Sequence, residues 1–363
     1  MADVNASQVE EALKAYIDPY TEKDLVATKA IRDIKIEGDK VTVDVQLGYP
    51  AKCFKAEMAS KLKPMVEAID GVSEATINIS SKIVAHTVQK GVNMINGVKN
   101  IIAIASGKGG VGKSTTSVNL ALALAKEGAT VGILDADIYG PSQPRMLGVS
   151  GQPESADGKS LEPLNSYHIQ SMSIGYLIDE ETPMIWRGPM VTQALEQLLN
   201  DTKWKDVDYL IIDLPPGTGD IQLTLAQKVP VTGAIIVTTP QDIALLDARK
   251  GLKMFEKVEV PVLGIIENMS LHICSECGHE EHIFGSGGGE KMSEQHNVDL
   301  LGALPLDMSI RIGTDEGKPT VVADPDGRIT EIYCDIARRV TAKLAMKAKD
   351  FSASFPNIVI QNN

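Results

Sequence analysis

The amino-terminal part of the chain alternates apolar and polar residues. Residues 6–16 have the spacing of a short helix, and the run IRDIKIEGDKVTVDVQL alternates on both sides of a Gly-Asp pair, which predicts a β-hairpin. A second helix is predicted over residues 54–69 despite Pro64, and VSEATINIS predicts one more alternating strand. Together these segments predict a small α-β-β-α-β domain over residues 1–82.

From residue 101 onward the apolar runs become continuous. The runs are IIAIAS, TVGILDAD, YLIIDLP, GAIIVTTP, PVLGIIEN and DLLGALP. Strands that helices cover on both faces have this pattern, and helical stretches such as TTSVNLALALAKEG fall between the runs. The alternation predicts an α/β domain over residues 99–350, with a mostly parallel sheet flanked by helices. We interpret residues 83–98 as a linker and 351–363 as a carboxyl-terminal tail.

Composition and charge exclude several classes of protein. The chain has 363 residues, of which 43% are hydrophobic and 23% charged, as in soluble globular proteins and unlike disordered or collagenous chains. Its formal net charge of -13 repels phosphate backbones and anionic lipid. No run approaches the roughly 18 apolar residues of a membrane span, and the first residues lack a signal peptide's basic and apolar regions. We therefore expect a cytoplasmic protein with neither nucleic acid nor membrane as its partner.

A phosphate-binding loop follows the first buried strand. The segment GKGGVGKST fits G-x-x-x-x-G-K-[ST], with a strand before it and a helix after it. Glycines let backbone N–H groups converge on phosphate oxygens, and the helix amino terminus adds positive potential. We expect the loop to bind ATP, with Lys113 on the β- and γ-phosphates and Ser114 as a ligand of Mg²⁺. The alternative is a glycine-rich turn with an exposed lysine. The predicted nucleotide-binding residues are Gly107, Lys108, Gly109, Gly110, Val111, Gly112, Lys113, Ser114 and Thr115.

Three acidic residues lie at the ends of predicted strands, at the sheet edge where the loop is expected. Asp213 closes YLIID and is predicted to hold Mg²⁺ through water. Asp137 is predicted to orient the attacking water, and Asp135 to support the metal shell. Acids in these positions also serve as helix caps, which is the alternative.

The pair Cys274 and Cys277 forms C-x-x-C within HICSECGHEEH, and two thiolates at this spacing can hold one metal centre. A [4Fe-4S] cluster usually takes four thiolates, so either another ligand enters or a second subunit contributes its pair, as a two-fold homodimer would. Zinc is an alternative because His272, His279 and His282 flank the pair, although their spacing differs from that of a zinc finger. A thioredoxin-like redox motif is another alternative, but here a glycine-rich loop follows the pair.

A second lysine, Lys108, directly follows the first glycine of the loop. This form resembles the deviant Walker A motif of the nitrogenase iron protein, MinD and ParA class, which implies that Lys108 crosses a homodimer to the partner's nucleotide. A solvated loop lysine is the alternative. With this resemblance, Lys108, Lys113 and Asp137 are the predicted catalytic residues of an ATP hydrolase.

Four further segments resemble the Mrp/ApbC (Nbp35-like) family of iron-sulfur cluster carrier ATPases over roughly residues 99–345. They are ILDADIYGPSQPRMLG, IIDLPPGTGD, VTTPQDIALLDARKG and ENMSLHICSECGHEEHIFGSGGG. The resemblance implies a [4Fe-4S] cluster bridging a homodimer, with apo iron-sulfur proteins and scaffold proteins as partners. It also implies that Asn268 hydrogen-bonds the adenine of ATP, whereas a strand-end turn residue is the alternative.

Residues 1–82 resemble the MIP18-type (DUF59) domain through DPYTEKDLVATKAI and the hairpin after it. Stand-alone relatives have a cysteine after a T-x-P stretch, but here YPAKC offers Pro50 and Cys53 without the threonine. We therefore interpret Cys53 as a half-buried core cysteine, and Cys334 as part of a packed helix.

An ATP-dependent iron-sulfur cluster carrier is accordingly the leading hypothesis. A MinD- or ParA-like positioning ATPase is the rival, although the carboxyl terminus lacks the basic amphipathic helix of a membrane anchor. A nitrogenase-type reductase is a third hypothesis, reached by analogy of fold.

Overall fold

In the amino-terminal unit, two helices share one hydrophobic core with a three-stranded sheet. The computed structural model describes residues 4–89, 91–178, 188–274 and 276–347. The elements of the unit are α1 (Ala6–Leu13), β1 (Ile17–Asp18), β2 (Lys23–Asp24), β3 (Ile31–Glu37), β4 (Lys40–Leu47), α2 (Lys55–Glu67) and β5 (Glu74–Ser81). Strand β4 pairs antiparallel with β3 and parallel with β5. The predicted order of helices and strands is confirmed, with the short β1–β2 pair added.

Local sequence explains both helices of this unit. Helix α1 begins with a capping box, in which the side chains of Asn5 and Gln8 each accept the other's backbone N–H. Helix α2 tolerates its internal proline because Met58, Leu62 and Val66, four residues apart, are all buried on one face. The hydrophobic face therefore outweighs the lost backbone hydrogen bond.

The remaining elements alternate strands and helices. They are β6 (Val98–Ala105), α3 (Lys113–Lys126), β7 (Val131–Asp135), α4 (Gln143–Met146), β8 (Leu164–Ser166), β9 (Ile169–Ser173), a 3₁₀ helix (Ile174–Tyr176), α5 (Gly188–Asp201), β10 (Val207–Asp213), α6 (Asp220–Lys228), β11 (Gly233–Thr238), α7 (Asp242–Lys257), β12 (Val262–Glu267), β13 (His272–Ile273), β14 (Glu280–Glu281), α8 (Gly288–His296), β15 (Leu300–Ala303), α9 (Met308–Asp315), α10 (Thr320–Ala323) and α11 (Arg328–Ala345).

Eight of these strands form one sheet in the order β15-β12-β11-β6-β10-β7-β9-β8. All neighbours are parallel except β8 and β9, so the predicted mostly parallel sheet is confirmed. The register aligns Asp213 with Asp135 across β10 and β7, and Asp135 with Ser173 across β7 and β9. The carboxyl ends of the central strands therefore bring these polar side chains to one edge.

Helices cover both faces of the sheet, as the continuous apolar runs predict. Helices α3 and α11 pack on one face, and α5, α6 and α7 pack on the other. All seven residues of β10 are buried. Within the described ranges, no helix is long and apolar enough to span a membrane.

The amino-terminal unit contacts the ends of α3 and α11. The Lys52 N–H donates to the Glu127 carbonyl over 3.0 Å, and the Cys53 N–H donates to Glu127 Oε2 over 3.0 Å. Ala342 of α11 belongs to the hydrophobic core of the amino-terminal unit. Helix α3, which begins at the phosphate loop, is thus bonded at its far end to the smaller unit.

One prediction about the cysteines is wrong and one is confirmed. Cys53 is exposed, because its neighbours Ala51 and Phe54 fill the small core and turn it outward. Cys334 is buried in α11, and burial raises the pKa of its thiol to about 12.

Candidate functional site

The phosphate loop joins β6 to α3 and has a shape that only glycine allows. Gly110 and Gly112 have left-handed backbone conformations, with φ of 83° and 82°. A Cβ added at Gly112 would lie 2.1 Å from Asn268 Nδ2, and one at Gly107 would lie 2.1 Å from the Asp247 carbonyl carbon of α7. The loop is therefore closely packed by its neighbours, with the amino terminus of α3 at its end.

Lys113 and Asp213 meet at this edge of the sheet, as the sequence predicts. Both side chains are buried, and Lys113 Nζ donates to Asp213 Oδ1 over 2.7 Å. Lys113 Nζ also lies 3.2 Å from Ser114 Oγ, and the Ser117 hydroxyl donates to Asp213 Oδ1 over 2.8 Å. The loop lysine, the predicted magnesium serine and the strand-end carboxylate thus form one cluster.

Gln143 joins this cluster although sequence reasoning missed it. Its buried Nε2 donates to Asp213 Oδ2 over 3.0 Å and to the Ser114 carbonyl over 3.1 Å. The only signal in the sequence was its position in the run ILDADIYGPSQPRMLG, shortly after the strand-end acids.

Asp135 organises the segment before α4. Its carboxylate accepts the N–H groups of Asp137, Ser142 and Gln143 at 2.9–3.1 Å and the Ser173 hydroxyl at 3.2 Å. Burial, followed by the neighbouring Asp213 carboxylate, raises the pKa of Asp135 to about 7. These four donors hold the segment that leads to α4, and the role of Asp135 in supporting the metal shell stays a prediction.

Asp137 is half-buried at the same edge, and burial raises the pKa of its carboxyl while the Lys113 ammonium opposes that shift. Ser142 Oγ and Gln143 Oε1 are buried and accept no hydrogen bond from any described residue. Magnesium prefers oxygen ligands and ordered water, so hydroxyl, amide and carboxylate oxygens gathered here fit a magnesium site.

The two residues implied by family resemblance lie beside the loop. Lys108 is half-buried, its carbonyl accepts the Ser106 hydroxyl over 2.9 Å, and its ammonium forms no ion pair with a described residue. Asn268 follows β12 and its Nδ2 donates to the Val111 carbonyl over 2.9 Å. Asn268 thus braces the loop. Its side-chain amide has a second N–H and an oxygen with which it can bind another partner.

The C-x-x-C pair lies in the turn of a small hairpin made by β13 and β14. The Cys274 N–H donates to the His279 carbonyl, and the Gly278 N–H donates to the Cys274 carbonyl, each over 2.9 Å. The backbone N–H groups of Cys277 and Glu276 lower the pKa of the Cys274 thiol. Cys274 is half-buried and Cys277 is exposed, so the turn favours a thiolate at an accessible position, as a metal ligand requires.

The flanking histidines are not gathered around the thiols. His272 Nδ1 lies 3.0 Å from the Leu306 carbonyl, and His282 Nδ1 lies 2.7 Å from the Ser270 carbonyl. In the described part of the chain, no group of three or more His, Cys, Asp or Glu side chains could hold a metal ion. The zinc alternative therefore lacks its ligand set among these residues.

Comparisons with known proteins agree for both parts of the chain. The family model described as NUBPL iron-transfer P-loop NTPase matches residues 97–341, and that of the iron-sulfur cluster assembly protein matches residues 6–79. The iron-sulfur cluster carrier protein of Escherichia coli K12 is 50% identical over 353 residues, covering 95% of this chain and 96% of the relative. The iron-sulfur cluster transfer protein NUBPL of Mus musculus is 50% identical over 252 residues, covering 69% of this chain and 79% of the relative. A nucleotide-binding protein from Archaeoglobus fulgidus, solved with ADP, has a TM-score of 0.56 and 36% identity, covering 64% of this chain and 90% of that one.

Proposed function

The chain belongs to the NUBPL/Mrp family of iron-sulfur cluster carrier proteins with a P-loop NTPase fold, and from this premise we propose that it carries a labile [4Fe-4S] cluster and delivers it in an ATP-dependent manner. The observation that carries the proposal is the hairpin that presents Cys274 and Cys277, only a few residues after Asn268, which braces the phosphate loop. Apo iron-sulfur proteins and scaffold proteins are the proposed partners.

In the proposed nucleotide site, Lys113 turns from Asp213 to the β- and γ-phosphates of ATP. Ser114, and Asp213 through water, would hold Mg²⁺, which neutralises phosphate charge when bound. Asp137 would orient the attacking water, and burial raises the pKa of its carboxyl, which favours uptake of a proton from that water. Asp135 keeps this segment in place through the backbone N–H groups that it accepts.

A homodimer supplies the four thiolates that one cluster needs. One subunit contributes the pair Cys274 and Cys277, and a two-fold axis brings the same pair from the second subunit. Exposed apolar side chains, which often mark interfaces, follow the carboxyl ends of several strands. They are Tyr139 after β7, Ile243 and Leu246 in α7, and Ile283 after β14. Lys108, without an ion pair of its own among the described residues, would contact the nucleotide of the partner.

A short run of hydrogen bonds supports coupling between nucleotide and cluster. Asn268 donates to the Val111 carbonyl of the phosphate loop, and two residues later the Ser270 carbonyl contacts the His282 ring of the hairpin. Ser270 also bonds Leu304 through both its N–H and its hydroxyl. A nucleotide that moves the loop would therefore shift Asn268 and, through it, the cysteine hairpin.

Anaerobic reconstitution with iron and sulfide tests the carrier function. The full-length protein should gain the visible absorption of about one cluster per dimer, and Cys274→Ala and Cys277→Ala should each lose it. Cys53→Ala is the matched control, because that cysteine is exposed but lies at the other unit, and it should retain the chromophore. A colourless wild-type protein, or colour in the hairpin variants, contradicts the proposal.

The same preparation addresses the positioning-ATPase alternative. A membrane-bound ATPase should sediment with anionic liposomes in the presence of ATP, whereas we expect this protein, with its formal net charge of -13, to remain in the supernatant.

A further inference from the structure

A cavity of about 890 Å³ lies beside the cysteine hairpin, and Cys274 is part of its lining. This volume is within the range of roughly 300–1,000 Å³ that ligand-binding cavities occupy. The cavity extends from the hairpin across the end of β15 to the first turns of α9 and α11. Anything that occupies it reaches one of the two proposed cluster ligands.

The walls of the cavity are largely apolar. Side chains from the hairpin, β15 and α11 face the cavity, namely Leu271, Ile273, Leu300, Ile329 and Ile332. All five are only half-buried, so they keep apolar surface that a partner can cover. Burying such surface stabilises a complex by about 25 cal/mol per Å² before the cost of association.

Carboxylates outnumber cations around these walls. Glu290, Asp307 and Asp324 line the cavity, and Arg328 is the one arginine or lysine among its described lining residues. None of these carboxylates forms an ion pair with any residue in the described ranges. The excess negative charge persists even when Glu267, whose pKa is raised by burial, is protonated. A partner with basic side chains therefore complements the cavity.

A second copy of this chain is a poor occupant. In the proposed homodimer the second copy brings the same acidic lining, so this lining supplies no basic side chains to pair with the carboxylates of the cavity. We propose that the cavity docks an extended segment of the protein that receives the cluster, in which basic side chains pair with the carboxylates and apolar side chains cover the walls. This inference rests on the proposed carrier function, and it places the incoming segment against Cys274.

A synthetic peptide tests the docking chemistry without iron or nucleotide. The probe is a fluorescein-labelled octapeptide that alternates Lys and Leu, and a Glu-Leu octapeptide is its negative control. Binding to the full-length protein is measured by fluorescence anisotropy. The cavity variant is Glu290→Lys/Asp324→Lys, and the matched control is Glu10→Lys/Glu256→Lys, which makes the same charge change at exposed positions on α1 and α7.

We expect the Lys-Leu peptide to bind, the cavity variant to weaken its affinity on the order of tenfold, and the control variant to leave it unchanged. Leu271→Ala, which keeps every charge, should also weaken binding several-fold. No binding, equal weakening in both charge variants, or full affinity in the cavity variant overturns the inference.

Cluster loading separates this inference from the carrier function. Neither Glu290 nor Asp324 is a proposed ligand, so the cavity variant should reconstitute with the same visible absorption as wild type. A colourless wild type counts against the carrier function and leaves the peptide result standing by itself. If the wild-type protein gains the cluster absorption but the peptide binds wild type and the cavity variant equally well, the result counts against the docking site alone.

Discussion

Arg338 should contribute more to stability than any exposed charged residue of its helix. Its Nη1 donates to Glu127 Oε1 over 2.7 Å, with side-chain exposures of 13% for the arginine and 0% for the glutamate. Its guanidinium also lies over the rings of Tyr20 and Phe54, at 5.1 and 5.7 Å from their centroids. Because the glutamate also accepts the Cys53 N–H, this arginine links α11, α3 and the amino-terminal unit.

The expected cost follows from these contacts. Arg338→Ala leaves the Glu127 carboxylate buried without its cation, and breaking a buried pair in this way costs about 3–5 kcal/mol. Each lost ring contact adds about 0.5–1 kcal/mol. We therefore expect the free energy of unfolding to fall by about 4 kcal/mol or more. Glu127→Gln/Arg338→Met should recover much of this loss, since no buried charge remains and the methionine covers the rings.

Arg339→Ala is the matched control one residue along α11. Arg339 pairs with Asp335 at the same distance of 2.7 Å, but the two side chains are 43% and 38% exposed. Exposed pairs of this kind contribute about 0.3–0.5 kcal/mol, so this variant should barely change stability.

Urea denaturation at pH 7, followed by far-ultraviolet circular dichroism, measures these differences. Since the chain has two units, each transition is fitted separately where two appear. An Arg338→Ala variant no less stable than Arg339→Ala would refute the reasoning, because the buried pair would then contribute no more than an exposed one.

Three further predictions concern the site. Gln143→Leu removes an amide donor from the buried strand-end carboxylate, and we expect kcat for ATP hydrolysis to fall roughly tenfold with ATP affinity unchanged; loss of affinity alone would contradict this role. Gly112→Ala places a methyl group 2.1 Å from the Asn268 amide at a left-handed position that costs about 1–2 kcal/mol, so titration with a fluorescent ADP analogue should show no binding, and wild-type affinity would disprove it. Ellman's reagent at pH 8 should modify Cys274 first, because its pKa is lowered, and Cys334 only after unfolding, because burial raises its pKa to about 12; early reaction of Cys334 would argue against its burial.

The sequence by itself determined the fold class and the two parts of the site that are contiguous in the chain. Parallel strands covered by helices need apolar side chains on both faces, and this requirement leaves continuous apolar runs. The phosphate loop and the cysteine turn are each built from adjacent residues. The meeting of Lys113 with Asp213, 100 residues apart, was also predictable, because the carboxyl ends of parallel strands share one edge.

Only the tertiary structure decided how distant segments meet away from that shared edge. Strands β8 and β9 escaped prediction because they are short and half polar. Gln143 reaches Asp213 because the segment before α4 folds over Asp135. The spacing of apolar residues in the sequence does not predict how this segment folds. Arg338 and Glu127 pair across 211 residues, and the same packing leaves Cys53 exposed. Local patterns encode which face of an element is buried, whereas the partner of a buried polar group depends on how whole elements dock.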